Sequence, residues 1–443
     1  MKSYAARRAA LMLQMQAKGG GVAIIPTAPE VMRNRDADYP YRHDSYFYYL
    51  TGFAEPEAVI VLIAGEKNQS ILFCREKNLE REIWDGYRYG PEAARETFGF
   101  DVAHSIAALD TEMPKLVANA PALFYALGSN GKLDKQIQAW LQSVRMQSRA
   151  GVAAPSVLHD VHVLLDEMRL FKDKEEIAIM KRSAAIAAEA HCRAMRASRP
   201  GLREYHLEAE ILHEFRRNGS QFPAYGSIVA TGANACVLHY RASDTEIKDG
   251  DLILIDAGCE LDSYASDITR TFPANGKFSG PQKALYEIVL AAQEAAIAVT
   301  CPGKRFMDGH DAAVRVLAQG MLDTGLLDQN KVGNLNDVIE KGAYRQFYMH
   351  RTGHWLGMDV HDVGEYREAT ILGGEKPWRV LQPGMVLTVE PGIYVRPEPG
   401  VPEPFWNIGI RIEDDALVTE TGCDILTEAA PKTVADIEAV MKH

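Results

Sequence analysis

The sequence has few cysteines, and their arrangement does not suggest a disulfide framework. Only six occur among 443 residues, they are scattered, and no two of them form a CxxC pair. This usage is typical of buried thiols in a reducing compartment. We therefore expect a cytoplasmic protein.

The sequence also lacks an excess of positive charge and a long apolar run. Its formal net charge is −12, which argues against nucleic acid or an anionic membrane as the main partner, because either requires a basic surface. No apolar run is long enough to cross a bilayer. Arg7 and Arg8 precede a short apolar stretch, but Gln14, Gln16 and Lys18 interrupt it. This interruption favours an amphipathic first helix over an export signal.

Length and composition predict two globular domains. A chain of 443 residues is too long for one ordinary core, and its hydrophobic content of 47% and charged content of 24% are ordinary. Residues 1–170 predict an α/β domain with no phosphate loop and no metal cluster. Near Asp173 a long helix with an acidic first turn is predicted, and residues 171–443 form the second domain.

Within the second domain, one order of elements is predicted twice. A long helix, a Pro-Gly break, a second helix and then strands follow residue 173 and again residue 281, with breaks at Pro200 and Pro302. The residues themselves barely match, but the order suggests a duplicated half-domain with a site between the halves. Strands are predicted at residues 227–231, 237–240, 251–257 and 264–272.

Two aspartates mark the most informative stretch of the second domain. The apolar run 252–255 ends in Asp256, and a Gly-containing turn leads to Asp267. Two adjacent strands joined by a loop would bring both carboxylates together, where they would repel and take up protons unless a cation lay between them. The alternative is a pair of solvated turn residues, but Asp256 ends a buried-looking strand.

A segment with three histidines supplies a nitrogen ligand. Residues 350–361 contain His350, His354 and His361 among glycines. A single histidine is usually a satisfied polar residue, but three in one Gly-containing segment are typical of a functional site. We expect His354 to be the ligand, with the other two beside it.

Two glutamates occur in predicted strands. Glu390 lies in the predicted strand 386–394, before a Pro-Gly pair, and Glu413 shares one face of the predicted strand 409–413 with Arg411. The alternative is an edge strand with its polar side in water, where an ion pair between Arg411 and Glu413 contributes little.

The candidates together supply four carboxylates and one imidazole. Four negative charges balance two divalent cations, and an acidic site with one imidazole suits Mn²⁺ most, with Co²⁺ or Zn²⁺ as alternatives. Two such ions lower the pKa of water enough to supply a nucleophile near neutral pH.

Four short motifs resemble those of the pita-bread metallopeptidases, and in particular its aminopeptidase P members. They are DAG-x8-D at 256–267, HxxG at 354–357, VEPG at 389–392 and RIED at 411–414. LHY at 238–240, HWLGMDVHDVG at 354–364, GMVLTVEPGIY at 384–394 and the N-terminal YPYR and YLTGF segments extend the resemblance over nearly the whole chain. One departure is Arg351-Thr352, where bacterial relatives commonly have a glycine after His350.

The resemblance implies an α/β N-terminal domain for oligomerisation and substrate access, and an α+β pita-bread catalytic domain. It implies that Asp256 chelates one metal ion, that Asp267 and Glu413 bridge two, and that His354 and Glu390 complete the ligand set of the other ion. Homodimers or homotetramers are implied as well.

The resemblance also implies the roles of residues around the metal ions. Glu390 acts as general base, and two histidines bind the scissile carbonyl and stabilise the oxyanion. The two histidines are His361 and His239. His350 and Trp84 bind the proline side of the substrate, and a hydrogen-bonded relay behind the metals is formed by Tyr394, Arg411 and Asp36.

The activity implied is hydrolysis of the N-terminal Xaa-Pro bond of peptides, which releases the first residue. A bond before proline has no N–H and the ring fixes φ, so a protease that grips an extended backbone cannot use it. The alternative is a prolidase, which is restricted to Xaa-Pro dipeptides and would use the same five ligands. In that case Arg351 is a cation that would bind the carboxylate of the dipeptide. A non-catalytic binding protein typically loses ligands and creatine hydrolysis needs no metal, so five intact ligands count against both.

Overall fold

The computed structural model describes residues 2–241, 244–371 and 374–442. The chain divides into two compact units, Met1–Met168 and Arg169–His443, and each has its own hydrophobic core. Over the described ranges, no helix is both long and apolar enough to span a membrane.

The first unit is built on a six-stranded mixed sheet with the order β6-β5-β4-β1-β7-β8. Its central strands β1, β4 and β5 pair antiparallel, whereas β6, β7 and β8 join in parallel. The predicted α/β class is therefore confirmed for this unit. Its strands are β1 (Gly21–Pro26), β2 (Met32–Asn34), β3 (Ala37–Asp38), β4 (Val59–Ala64), β5 (Gln69–Cys74), β6 (Val102–Ser105), β7 (Ala122–Phe124) and β8 (Val157–His159). Its helices are α1 (Lys2–Ala17), α2 (Ser45–Thr51), α3 (Leu79–Asp85), α4 (Gly90–Phe98), α5 (Leu109–Val117) and α6 (Gly131–Arg145), and α7 (His162–Leu170) crosses the division between the units.

The second unit repeats a helix pair followed by strands. Helices α8 and α9 pack together, as do α10 and α11, and each pair precedes an antiparallel three-stranded sheet, β10-β11-β14 and β15-β18-β19. The predicted duplication is confirmed in the order of elements. The helices are α8 (Lys174–Ala197), α9 (Glu204–Arg217), α10 (Gly280–Val299), α11 (Phe306–Asp323), α12 (Gln329–Val332), α13 (Leu335–Lys341) and α14 (Val434–Val440). The strands are β9 (Phe222–Pro223), β10 (Ile228–Thr231), β11 (Leu252–Asp256), β12 (Cys259–Leu261), β13 (Tyr264–Ala265), β14 (Thr269–Pro273), β15 (Val386–Val389), β16 (Gly392–Val395), β17 (Ile408–Arg411), β18 (Asp414–Val418) and β19 (Cys423–Ile425).

The start of α8 follows from local chemistry. The side chain of Asp173 accepts hydrogen bonds from the backbone of Glu175 and Glu176, while the Glu176 carboxylate accepts one from the Asp173 backbone. This capping box satisfies amide groups that have no partner inside the helix. The helix start predicted at Asp173 is confirmed.

Four predicted strands differ from the structure. The strand predicted at 409–413 ends at Arg411, so that Glu413 lies between β17 and β18. Residues 237–240 are not a strand, because the backbone N–H of Val237 bonds the carbonyl of Asn234 and that of Tyr240 bonds the carbonyl of Val237, which forms local turns instead of a ladder. The segments predicted as 386–394 and 264–272 each divide into two strands in different sheets. In the first, Pro391 interrupts the strand because it has no N–H to donate.

Candidate active site

The two aspartates lie side by side because β11 and β14 are antiparallel partners. Asp256, the last residue of β11, pairs with Thr269, and Asp267 precedes β14 by two residues. A methyl group on Gly258 would lie 1.6 Å from the carbonyl oxygen of Ser266, so glycine is required where the chain turns between the strands. The adjacent strands predicted here are confirmed.

The two glutamates come from the second half of this unit, which follows helices α10 and α11. The backbone N–H of Glu413 donates to the carbonyl of Thr269 at 3.1 Å, and that of Glu390 donates to the carbonyl of Thr352 at 2.8 Å. Glu413 is 2% exposed and Arg411 4% exposed. These values exclude the alternative in which both side chains form an ion pair in water.

His354 presents one ring nitrogen to the carboxylates. Its Nδ1 lies 2.9 Å from the carbonyl oxygen of Trp355, so Nδ1 carries the proton that it donates, and in the neutral ring Nε2 has the lone pair. Nε2 lies 3.5 Å from Asp267 and 3.8 Å from Glu390. This tautomer is the one that a metal ligand requires.

Three of the candidates form a compact set of donors. One ligand atom each from Asp267, His354 and Glu413 lies within 4.8 Å of the other two, and all three residues are buried. Oxygen and imidazole donors in this proportion suit a divalent ion of hard or borderline character. The three residues can hold a metal ion.

The raised pKa values of the carboxylates indicate an excess of negative charge in the cluster. Burial and the neighbouring carboxylates raise the pKa of Glu413 well above its usual range and raise that of Asp267. Burial also raises the pKa of Glu390 to about 7, although His354 and Arg411 oppose the shift. Burial alone would lower the pKa of His354, but Asp267 and Glu390 raise it to about 9. A bound cation would stabilise the ionised carboxylates, so the residues fit the metal that the motifs imply.

Other side chains orient the carboxylates. The Arg411 guanidinium donates to Asp256 at 2.5 Å, and the Thr269 hydroxyl donates to Glu413 at 2.6 Å. The Tyr225 hydroxyl contacts Asp256 at 2.6 Å and also contacts Asp267. Tyr225 and Thr269 were not expected from the sequence, because a single tyrosine or threonine between strands carries no distinguishing pattern.

His350 belongs to a hydrogen-bonded chain with Tyr394 and Arg411. Its Nδ1 lies 2.7 Å from the carbonyl oxygen of Arg351, and its Nε2 lies 2.8 Å from the Tyr394 hydroxyl. Arg411 donates to that hydroxyl at 3.1 Å, so the hydroxyl donates its own proton to Nε2. Burial, with help from the charge of Arg411, lowers the pKa of His350 to about 4, which agrees with a neutral ring.

A cavity of about 730 Å³ gives access to the cluster. The His361 ring stacks on the His354 ring, with centroids 3.9 Å apart and planes 16° apart. Burial and the neighbouring His354 lower the pKa of His361 to about 4. His361, His350 and the exposed His239 all line the cavity.

Comparison with known proteins identifies the group to which this architecture belongs. The sequence profile of metallopeptidase family M24 matches residues 178–420, and the profile of the aminopeptidase P N-terminal domain matches residues 4–125. The chain belongs to metallopeptidase family M24. It is 45% identical to the Xaa-Pro aminopeptidase of Escherichia coli over 99% of this chain and 97% of that protein. It is 33% identical to human Xaa-Pro aminopeptidase 3 over 99% of this chain and 85% of that protein.

Two solved M24 structures share the complete fold. Pseudomonas aeruginosa aminopeptidase PepP superimposes with a TM-score of 0.95 at 52% identity, and the match covers 99% of this chain and 97% of the PepP chain. A variant of Escherichia coli aminopeptidase P in complex with substrate gives 0.94 at 44% identity, over 99% and 98%. The predicted architecture, an α/β domain followed by a pita-bread catalytic domain, is confirmed.

Two predicted site residues of this M24 protein lie in the first unit. Asp36 is exposed between β2 and β3, and Trp84 is 81% exposed on α3. The carboxylate that contacts Arg411 is that of Asp256. The role of Asp36 in the relay stays a prediction from the sequence. The role of Trp84 in substrate binding also stays a prediction.

Proposed function

We propose that this chain is a metal-dependent aminopeptidase that hydrolyses the N-terminal Xaa-Pro bond of peptides. One observation carries the proposal: buried carboxylates and His354 form a cluster beside a cavity of about 730 Å³ that three further histidines line. Relatives that match nearly the whole chain are named Xaa-Pro aminopeptidases. A cavity of this size is in the range of sites for small ligands.

The proposed active form holds two divalent ions, most suitably Mn²⁺. Asp267 and Glu413 would contact both ions, Asp256 would complete one ligand set, and His354 and Glu390 the other. The balance between four carboxylates and two dications supports this number. When bound, the ions lower the pKa of the attacking water and polarise the scissile carbonyl.

Glu390 would move the proton in the reaction. Its side chain lines the cavity, and its Oε2 lies 4.0 Å from Nδ1 of His350, so it faces the space where substrate would lie. As general base it would accept a proton from the attacking water and pass it to the prolyl nitrogen as the bond breaks. A prolyl nitrogen must gain this proton because it leaves as a secondary amine.

His361 and His239 would stabilise the charge that develops on the carbonyl oxygen. Both rings line the cavity. With its pKa lowered to about 4, His361 is neutral near pH 7 and still has one N–H to donate. A donor placed where an oxyanion forms lowers the barrier without having to reorganise.

His350 would bind the proline side of the substrate. Tyr394 and Arg411 hold its ring in one orientation, and the neutral ring offers an apolar edge to the pyrrolidine. Trp84 would contribute to the same specificity, and Asp36 to the relay, as the sequence predicts.

A comparison of three substrates tests the proposed function. Purified protein loaded with Mn²⁺ is assayed with a Xaa-Pro dipeptide, a Xaa-Pro tripeptide and a Xaa-Ala tripeptide. We expect kcat/KM for the Xaa-Pro tripeptide to equal or exceed that for the dipeptide, and the Xaa-Ala tripeptide to be far slower. Cleavage of the dipeptide alone would make the protein a prolidase, and Arg351 would be the first residue to substitute.

We also propose a cytoplasmic homodimer or homotetramer. All six cysteines are free, and four of them are buried, which supports a reducing compartment. Sedimentation velocity at micromolar concentration measures the assembly, and a monomer would contradict it.

A further inference from the structure

The cavity is lined by charged groups of both signs. Its carboxylates are those of the metal-ligand cluster, whereas three arginines also line it. Arg411 is paired with Asp256. Arg241 and Arg351 have no ion-pair partner within the ranges 2–241, 244–371 and 374–442. Once metal ions balance the carboxylates, these two guanidinium groups leave the cavity with an excess of positive charge.

Arg351 is held at the cavity by an aromatic ring. Its guanidinium carbon lies 5.3 Å from the centroid of the Trp378 ring, within the range of a cation–π interaction. The residue follows His350 directly, and its own carbonyl bonds the His350 ring. A guanidinium that contacts a ring face in this way can still donate its N–H groups to a planar acceptor.

Arg241 reaches the cavity from the first half of the catalytic unit. A methyl group on Gly226 would lie 2.6 Å from Nη1 of Arg241, so the guanidinium packs directly against the backbone at that glycine. Gly226 follows Tyr225, which contacts the aspartates of the cluster. The two arginines therefore line the same cavity as the cluster and approach it from different segments.

We propose that Arg241 and Arg351 form a carboxylate-binding subsite on the leaving-group side of the cleft. The ligand is the carboxylate of the residue that follows proline, either the C-terminus of a short peptide or an acidic side chain. A guanidinium matches a carboxylate with two parallel hydrogen bonds. The inference rests on the proposed function and names its substrate class as Xaa-Pro peptides with a negative charge just beyond proline.

This subsite would also orient the substrate. A short peptide carries a positive amine at one end and a negative carboxylate at the other. In the metal-loaded protein the two arginines repel the amine and attract the carboxylate. Complementary potentials of this kind fix the direction in which a ligand binds.

Calorimetry with a product-like dipeptide tests the subsite without hydrolysis. Binding of Pro-Ala and its C-terminal amide to the manganese-loaded protein is measured for the wild type, R241Q, R351Q and the double variant. We expect the free acid to bind about tenfold more tightly than the amide, the usual scale for a hydrogen bond to a charged group. In the double variant the two dissociation constants should become equal.

R367Q is a matched control. The Arg367 guanidinium also stacks on Trp378, with its carbon 3.3 Å from the ring centroid, but Arg367 is outside the cavity lining that the described residues form. This variant should keep the wild-type preference. Equal binding of acid and amide by the wild type, or a preference that persists in the double variant, would overturn the inference.

A second pair of ligands separates the two sources of the carboxylate. Tighter binding of Pro-Asp amide than of Pro-Asn amide supports recognition of acidic side chains, and a preference confined to Pro-Ala supports recognition of the C-terminus. Hydrolysis of Xaa-Pro-Ala amide is assayed in parallel. Absence of that hydrolysis would refute the proposed function. The existence of the subsite is tested separately, by the ratio of the dissociation constants for the acid and the amide.

Discussion

Glu413 and Asp256 differ in the environment that the chain gives their carboxylates. Glu413 is among the three donors that lie within 4.8 Å of one another, whereas Asp256 is held at the edge of the cluster by Arg411 and Tyr225. A ligand shared by two ions is needed for both, but a ligand of one ion is needed for that ion only.

We therefore predict that Glu413→Ala weakens metal binding more than Asp256→Ala. Loss of a residue that only hydrogen-bonds a metal ligand already weakens metal affinity about 10- to 100-fold. Loss of a ligand shared by two ions should therefore weaken the affinity for both ions by more than this. Asp256→Ala should lose one ion and keep the other. Titration calorimetry with Mn²⁺ measures both variants, and the loss of one ion in each would contradict the bridging role.

A second residue prediction concerns His361. In His361→Ala we expect kcat to fall by roughly 10²- to 10³-fold, the scale of one oxyanion donor, while both metal ions stay bound. Steady-state kinetics and metal analysis of the same preparation measure the two effects. If the variant loses metal, or if its kcat is unchanged, the roles of His361 and His354 have been assigned the wrong way round.

At the scale of elements, Asp414 at the start of β18 connects β14 with the C-terminal segment. Its carboxylate accepts hydrogen bonds from Arg270 at 2.7 Å and Lys432 at 2.6 Å, and from Thr427 and Gln293 at 2.8 Å and 3.1 Å. Burial alone would raise the pKa of Asp414, but Arg270 and Lys432 outweigh burial and lower it. The ionised form is therefore favoured by folding.

We predict that Asp414→Asn lowers the free energy of unfolding by about 3–5 kcal/mol, because it leaves buried cations uncompensated. A lowered pKa in the folded state stabilises the protein above the unfolded pKa of about 4. That contribution is lost as pH falls from about 4 through the folded pKa, so the difference between wild type and variant should shrink there. Urea unfolding between neutral and acidic pH measures it.

Asp424→Asn serves as the control for this prediction. Asp424 and Lys181 form an ion pair at 3.9 Å with side chains 58% and 53% exposed, and such pairs contribute about 1 kcal/mol or less. A similar small effect for Asp414→Asn would refute the role of the buried network.

At the scale of the whole molecule, the two halves of the catalytic unit both supply proposed ligands. Asp256 and Asp267 come from the segment around β11 and β14, and Glu390 and Glu413 come from the segments around β15 and β17. Metal bound only to the folded arrangement stabilises the fold by mass action. Metal content, activity and thermal stability are therefore expected to change together.

We predict that exhaustive chelation abolishes peptidase activity and lowers Tm, and that Mn²⁺ or Co²⁺ restores both. Activity assays and thermal scans on chelated and reloaded protein measure the two quantities, with Ca²⁺ as a control that prefers more oxygen ligands and should restore activity poorly. Full activity in protein shown to be free of metal would contradict the prediction.

The sequence by itself determined the repeated helix pairs of the second domain and the set of candidate donors. Helix α8 could be predicted at Asp173 because the acidic residues that favour a helix start lie next to one another in the chain. The donor motifs were recognisable because each lies in a short, continuous segment.

Only the tertiary structure decided how those segments meet. The contacts of Tyr225 with Asp256 and Asp267 span 31 and 42 positions. Arg241 packs against Gly226, and the residues just before Arg241, 237–240, form turns where the sequence had predicted a strand. Hydrogen bonds and packing between distant segments determine these placements, and local periodicity contains no information about partners so far apart in the chain.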